Sequence, residues 1–227
     1  ESIVAAAERL LGPADLAGVN VVVSAGGTRE PIDAVRVIAN RSSGKQGYAV
    51  AAEAAARGAS VTLVTTVSLP TPHGCSIVAV ETAAQMQTAM EQAAATNEVV
   101  VMSAAVADFR PVQPATGKLK KRDGAPEIVL EPTPDILAGL GAHKRVGQVL
   151  VGFAAETNDL LANAQSKLEK KHLDLIVAND VSAPGVGFAH DTNAVTLLRP
   201  DAEPVENDIA SKQDVARAVI DAVVALS

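Results

Sequence analysis

Runs of β-branched residues separated by alanine-rich stretches of helical length constrain this chain more than any other feature. Residues 19–24 form the first such run and read as a strand. Residues 43–57 follow as a helix with alanines throughout and Gly58 as its stop signal, and residues 60–66 read as a second strand. A strand, a helix and a strand in that order begin a parallel, Rossmann-like sheet. The rhythm continues with a short strand at 77–80, a helix from the cap Thr82 to about Ala95, and a buried strand at 98–103. It resumes after Asp135 with strands at 149–154 and 173–178 around a helix at 157–171. A late strand at 193–199 and a closing amphipathic helix at 211–226, capped by Ser211, complete it. The expected fold class is α/β, a mostly parallel Rossmann-like sheet with helices on both faces. A short helix at 2–11, stopped by Gly12-Pro13, precedes it.

Composition fits this reading. Hydrophobic residues make up 48% of the 227 positions but aromatics only 2%, so the core must be built from small aliphatic side chains. Alanine-rich helices over a valine-rich parallel sheet meet that requirement. The length suits one large α/β domain, and no internal repeat or convincing linker divides residues 1–227. Two segments break the rhythm. Residues 25–41 read as a long loop. Residues 109–134 are rich in proline, glycine and charge, with Ile128-Val129-Leu130 as a candidate strand, and read as an inserted arm or flap.

A net charge of −7 argues against general nucleic-acid binding, which needs a basic surface, but leaves room for a small anionic substrate. Cys75 is the only cysteine, so no disulfide forms within the chain, and a reducing cytoplasm is the expected location. No apolar run approaches a membrane span, and the start, Glu1-Ser2-Ile3-Val4, lacks a basic segment followed by an apolar one. The missing initiator methionine suggests a chain trimmed or cut from a longer protein.

Two turns carry the first functional signal. The strand at 19–24 leads into Gly26-Gly27-Thr28-Arg29-Glu30-Pro31, and Asn40-Arg41-Ser42-Ser43-Gly44-Lys45 sits at the mouth of the next helix. Free backbone N–H groups at a helix start, small hydroxyl residues and a lysine make an anion pocket. Neither turn is a familiar fingerprint. Gly-x-Gly-x-x-Gly spacing is missing from the first. In the second, Ala39 replaces the leading glycine of a Walker loop, and Gln46 stands where a magnesium-binding hydroxyl belongs. Either turn alone could be an ordinary tight turn and cap; together they favour a ligand with several phosphates.

Asp108 follows the strand at 98–103 at the end of an Ala104-Ala105-Val106-Ala107 tail, at the carboxyl edge where α/β folds bind ligands. Lys118-Leu119-Lys120-Lys121-Arg122 places four cations in five residues of an acidic chain. Composition favours a solvated loop there; position, soon after Asp108, favours a lysine that closes over phosphates. Lys167 and Lys171 share a helix face, which also suits the negative end of a helix dipole. Phe153 could be core, and Asn179-Asp180 a turn. His73, His143, His172 and His190 lack metal-ligand spacing, and neither they nor Cys75 are assigned a role. A protein metal cage is not expected, whereas magnesium carried mainly by substrate phosphates, with Asp108 nearby, is compatible with these residues.

Taken together the motifs resemble a known family. The two turns just quoted, with Ala104-Ala105-Val106-Ala107-Asp108-Phe109-Arg110, Lys118-Leu119-Lys120-Lys121, Val151-Gly152-Phe153-Ala154-Ala155-Glu156-Thr157 and Ala178-Asn179-Asp180-Val181, look like phosphopantothenoylcysteine synthetase, also called phosphopantothenate–cysteine ligase. They occur in family order from about Leu16 to the C-terminus, and six motifs in order are far more specific than any one. The likeness is to the bacterial, CTP-using branch, where the domain is often the C-terminal half of a bifunctional coenzyme A biosynthesis protein. Gly27 and Ala34 stand where many relatives carry proline, which touches only the detailed geometry of that loop.

The resemblance implies a ligase that forms a C–N bond. The carboxylate of 4′-phosphopantothenate would attack the α-phosphate of CTP, giving an acyl-cytidylate and pyrophosphate. The amine of L-cysteine would then displace CMP. It further implies that Asn40 contacts the acyl-cytidylate and that Lys118 acts in catalysis. Ala105, Asp108, Lys118, Thr133, Pro134, Phe153, Lys167 and Lys171 would form the CTP site. Gly26, Gly27, Thr28, Asn40, Ser42, Ser43 and Gly44 would hold substrate and phosphate. Mg2+ is implied with CTP; flavin is not, because the flavin-dependent decarboxylase half is absent from this sequence. A homodimer is implied, built partly from strands near Ile128 and Val195, with fusion to or association with that decarboxylase; no nucleic acid or membrane partner is. Two rivals remain: a nicotinamide reductase, opposed by the absence of Gly-x-Gly-x-x-Gly and of a Tyr-x-x-x-Lys pair, and a nucleotide sensor without chemistry.

Overall fold

The computed structural model describes residues 12–121, 124–156, 159–180 and 192–226. The helix expected at 2–11 lies outside the described residues, as does the start of the helix expected at 157–171. Six parallel strands run in the order β5 (Cys75–Ala79), β4 (Ser60–Thr65), β1 (Asn20–Ala25), β6 (Val99–Met102), β9 (Val149–Glu156) and β10 (Leu175–Asp180). Two antiparallel strands, β11 (Thr192–Leu198) and β12 (Val205–Ser211), extend the sheet beyond β10 to eight.

Register explains the valine-rich runs. Val21 of β1 lies beside Val61 and Val99, and Val23 beside Leu63 and Val101, so β-branched side chains stack across the sheet. Alternate residues face opposite layers. Val21, Val23 and Ala25 pack with α1 (Lys45–Ala56) and α5 (Lys212–Val224). Val22, Val100 and Leu150 pack with α2 (Ala83–Ala94), α3 (Ile136–Ala142) and α4 (Leu160–Lys170). Helices therefore cover both faces. Thr82 caps α2 with a full capping box, its side chain accepting from the Gln85 N–H. Ser211 caps α5 by accepting from the Asp214 N–H.

Several elements differ from the sequence reading. The loop expected at 25–41 contains a two-stranded hairpin, β2 (Arg29–Pro31) with β3 (Val37–Ala39). Its runs are too short to show a period. The strand expected at Ile128–Leu130 is β8 (Leu130–Pro132), shifted so that Leu130 faces Pro111 of β7 (Phe109–Pro111). β12, rich in Glu, Asn and Asp, has too weak an apolar alternation to be read from sequence, because it is an edge strand with one row of backbone groups unpaired. Helix α1 begins two residues later than expected: Gly44 takes φ 74° as the cap, a left-handed conformation that excludes it from the helix.

Candidate active site

Strand order reverses between β1 and β6, and ligands in open α/β sheets bind outside the carboxyl ends at such a point. The loops leaving these two strands are tied together. Ala105 N–H donates to Gly26 O at 2.8 Å, and Thr28 N–H to Ala105 O at 3.3 Å. The buried Thr28 hydroxyl accepts from the Ala107 N–H at 2.9 Å. Ser24 Oγ accepts from the N–H groups of Ser103 and Ala104. A Cβ on Gly27 would fall 2.6 Å from the carbonyl oxygen of Asn40, so the first turn also braces the second. Gly26, Gly27 and Thr28, expected to bind phosphate, line neither pocket described below; what the structure shows them doing is holding the β6 loop.

Two adjoining pockets open at this edge. The smaller, about 130 Å3, is lined by Ser42, Ser43 and Gly44 at the start of α1, and no side chain caps that helix. The larger, about 620 Å3, falls in the size range of small-molecule sites. Asn40, Asp108, Thr133, Pro134, Phe153, Lys167 and Lys171 line it. These residues come from separate segments of the chain and meet only because the sheet places their strand ends side by side. Ala105 and Phe153 border both pockets.

The cleft's walls are braced by hydrogen bonds. Asn40 Nδ2 donates to Val106 O at 2.9 Å. The Thr133 hydroxyl donates to Ala107 O, and its N–H to Asp108 O at 2.9 Å. Lys171 Nζ pairs with Asp135 at 2.8 Å, and Asp135 also caps α3 by accepting from the Ala138 N–H. Partial burial pushes the Asp135 carboxyl up, but Lys171 and the Ala138 N–H outweigh it and hold it below the usual value. The Asp135 side chain is 52% exposed, so this pair is worth roughly 0–1 kcal/mol. An incoming phosphate can therefore redirect Lys171 at little cost.

Lys118 is exposed and lines neither pocket. Its neighbour is anchored instead: Leu119 N–H donates to Asp33 Oδ2 at 3.1 Å, and Arg36 Nη2 donates to Leu119 O at 2.9 Å. Asp33, its side chain fully buried, also accepts from Arg36 and from the N–H groups of Val35 and Arg36. The Arg36 guanidinium, with those N–H groups and against the opposing effect of burial, holds the Asp33 carboxyl far below the usual carboxylate range. This anchor was not anticipated. The one visible hint is the short spacing of Asp33 and Arg36, and nothing local points to residue 119.

Gln46, Asn179, Asn193 and Lys212 also line the smaller pocket, and the sequence reading gave none of them a binding role. They lie on α1, β10, β11 and α5, and no spacing along the chain could have joined them. His73, His143 and His172 line neither pocket. Burial pushes the Cys75 thiol up to about 11, on β5 at the far edge of the sheet. Among the described residues no three His, Cys, Asp or Glu come together as a metal cage, and no helix is long and apolar enough to cross a membrane.

Residues 16–226 match the family described as DNA/pantothenate metabolism flavoprotein, C-terminal domain. The chain belongs to this family. The chain is similar to the coenzyme A biosynthesis bifunctional protein CoaBC of Mycobacterium bovis, 48% identical over 224 residues, spanning 93% of this chain and 53% of that protein. CoaBC of Bacillus subtilis is 45% identical over 232 residues, spanning 100% of this chain and 57% of that protein. The chain thus spans about half the length of these curated relatives. A crystal structure of the C-terminal domain of CoaBC superposes with a TM-score of 0.80 at 38% identity, covering 94% of this chain and 97% of that one. The family is the one to which the six ordered motifs pointed.

Proposed function

We propose that this chain is a single ligase domain, residues 1–227, that joins 4′-phosphopantothenate to L-cysteine with CTP, through an acyl-cytidylate, in coenzyme A biosynthesis. The observation that carries the reading is the larger cleft, where Asp108, Thr133, Phe153, Lys167 and Lys171 converge at the strand-order reversal. A carboxylate is a poor acyl donor, so amide formation requires activation, and holding carboxylate and α-phosphate in line supplies much of the rate. Lys167 on α4 and Lys171 at the C-terminal cap of that helix bind the phosphates, Phe153 packs against the base, and backbone groups around Ala105 read its polar edge. Asn40, at the border of the cleft, meets the acyl group. Of the two carboxylates lining the cleft, Asp135 is paired with Lys171, and Asp108 beside it fits a Mg2+ ion that would be held mainly by phosphate oxygens and would neutralise phosphate charge. Lys118 acts by swinging toward the phosphates from its anchor at Leu119, which makes residues 109–134 a flap.

A buried polar base edge left unpaired by the wrong nucleotide is costly, so CTP is expected to outperform ATP by a large factor. Pyrophosphate release measured with each nucleotide, with and without 4′-phosphopantothenate and cysteine, tests the reading. Equal activity with ATP would remove the CTP assignment. Release that needs no phosphopantothenate, or no release at all, would remove the ligase.

The arm also supports a homodimer. Val35, Val112 and Val129 leave apolar surface exposed beside β7 and β8, with Val35 and Val129 each 63% exposed. Light scattering at assay concentration is expected to give twice the chain mass; a fully active monomer would dispose of the dimer. Association with a flavin-dependent decarboxylase and a cytoplasmic location belong to the same proposal.

A further inference from the structure

Asp33 makes more contacts than a hairpin turn requires. It stands between β2 and β3, with its side chain fully buried. Oδ1 accepts from the N–H groups of Val35 and Arg36, both at 2.8 Å, an ordinary Asx turn. That turn uses one oxygen. The other, Oδ2, accepts from the Arg36 guanidinium and from the Leu119 N–H at 3.1 Å, while Arg36 Nη2 donates onward to Leu119 O at 2.9 Å. One ion pair thus takes both backbone polar groups of Leu119, a residue 86 positions further along the chain. An asparagine would close the turn equally well without the cost of burying a charge. The hairpin does not ask for the charge; the contact that uses it is Leu119.

The hairpin is itself rooted in the main domain. The buried Glu30 accepts from the Ala83 N–H at the start of α2 at 2.8 Å, and Arg29 N–H donates to Glu81 O at 2.9 Å. From this root it reaches the arm at two points, Leu119 and Ala115, whose N–H donates to Ile32 O at 2.9 Å. Lys118 lies between them, its side chain exposed and its next neighbour held by both backbone groups. Gly117, on its other side, has open space where a Cβ would stand. The lysine therefore has room to turn about a fixed point. At its other end β3 runs directly into Asn40, which has a separate brace at Val106 O.

We infer that Asp33, with Arg36, is a positioning residue for the activation step, clamping Leu119 so that Lys118 reaches the nucleotide phosphates. The inference rests on the ligase reading above. Asp33 touches no substrate and acts only through Lys118. A cation on a free loop samples many positions, and fixing its neighbour raises the fraction of time it stands where charge develops. Asn40 hangs from the same hairpin through different bonds, the β2–β3 pairing and Val106, so loss of the clamp spares the second step.

The test compares wild type with Asp33→Asn, Arg36→Gln, Lys118→Gln and the double variant Asp33→Asn/Lys118→Gln. Asp33→Asn keeps an oxygen for the turn but sets an NH2 donor against the Leu119 N–H. Single-turnover pyrophosphate release is expected to fall by about 10- to 100-fold in Asp33→Asn and in Arg36→Gln. Decay of the acyl-cytidylate after cysteine is added stays at the wild-type rate. The double variant is no slower than Lys118→Gln, because residues that act as one unit do not add. Trypsin supplies a reading without turnover: CTP with 4′-phosphopantothenate shields the bond after Lys118 in the wild type and not in Asp33→Asn, as read by fragment masses. Losses that multiply in the double variant, equal slowing of both steps, or shielding retained in folded Asp33→Asn would overturn the inference. Should Asp33→Asn fail to fold, Arg36→Gln, whose native side chain is 46% exposed, decides on the same readings. A wild type whose shielding depends on Asp33 but which forms no amide would sink the ligase reading and leave the clamp standing.

Discussion

Lys118→Gln is expected to slow acyl-cytidylate formation by on the order of a hundredfold or more, with the fold intact. The side chain is exposed, so its removal leaves no cavity and breaks no bond that holds the core. Leu119 remains tied to Asp33 and Arg36, so the segment keeps its anchor. What is lost is a cation delivered to the phosphates as charge develops on the transferring centre. Single-turnover measurement of pyrophosphate release reads this directly, with thermal melting as the control. Lys120→Gln, two residues on and also exposed, serves as the comparison. Near-normal release by Lys118→Gln, with a large loss in Lys120→Gln, would mean that the anchored segment presents a different lysine.

Asn40→Asp is expected to slow the second step more than the first, so that the acyl-cytidylate accumulates. The amide carries two N–H donors, and one is spent on Val106 O. The other can stabilise the oxyanion that forms when the cysteine amine attacks. A carboxylate there supplies no donor, faces the Val106 carbonyl oxygen, and repels both oxyanion and phosphates. Quenched flow with labelled CTP would show a labelled intermediate that decays slowly after cysteine is added. Complete loss of pyrophosphate release would place Asn40 in activation instead. An equal, modest loss in both steps would make it only a brace between the β3 and β6 loops.

Most of the architecture was legible along the chain because it is written in local periodicity. The valine-rich strands at β1, β4, β6, β9 and β10 are buried on both sides, so each reads as a continuous apolar run. Helices α1, α2 and α5 announce themselves by alanine content and by caps such as Thr82 and Ser211, which act on neighbours within four residues. Elements without a local signature were missed. β2 and β3 are three residues each, and β12 is a polar edge strand whose pairing is supplied by β11.

The site divides along the same line. Six ordered motifs sufficed to place the chain in its family, and several are short runs at a strand end or helix start, where backbone geometry demands particular residues, whereas Lys118 to Lys121 lie in the arm. Sequence alone also indicated that Asp108 follows a buried strand, and it put Lys167 and Lys171 on one helix face, although the helix ends at Lys170 with Lys171 as its cap. Only the tertiary structure decided that Gly26, Gly27 and Thr28 brace the β6 loop, because that depends on β6 lying next to β1 across many intervening residues. Only it revealed the Asp33–Arg36–Leu119 anchor and the hydrogen bonds joining Gln46, Asn193 and Lys212. The physical reason is range. Propensity and capping act over a few residues, whereas hydrogen bonds between side chains on different elements exist only after the sheet has set its strand order.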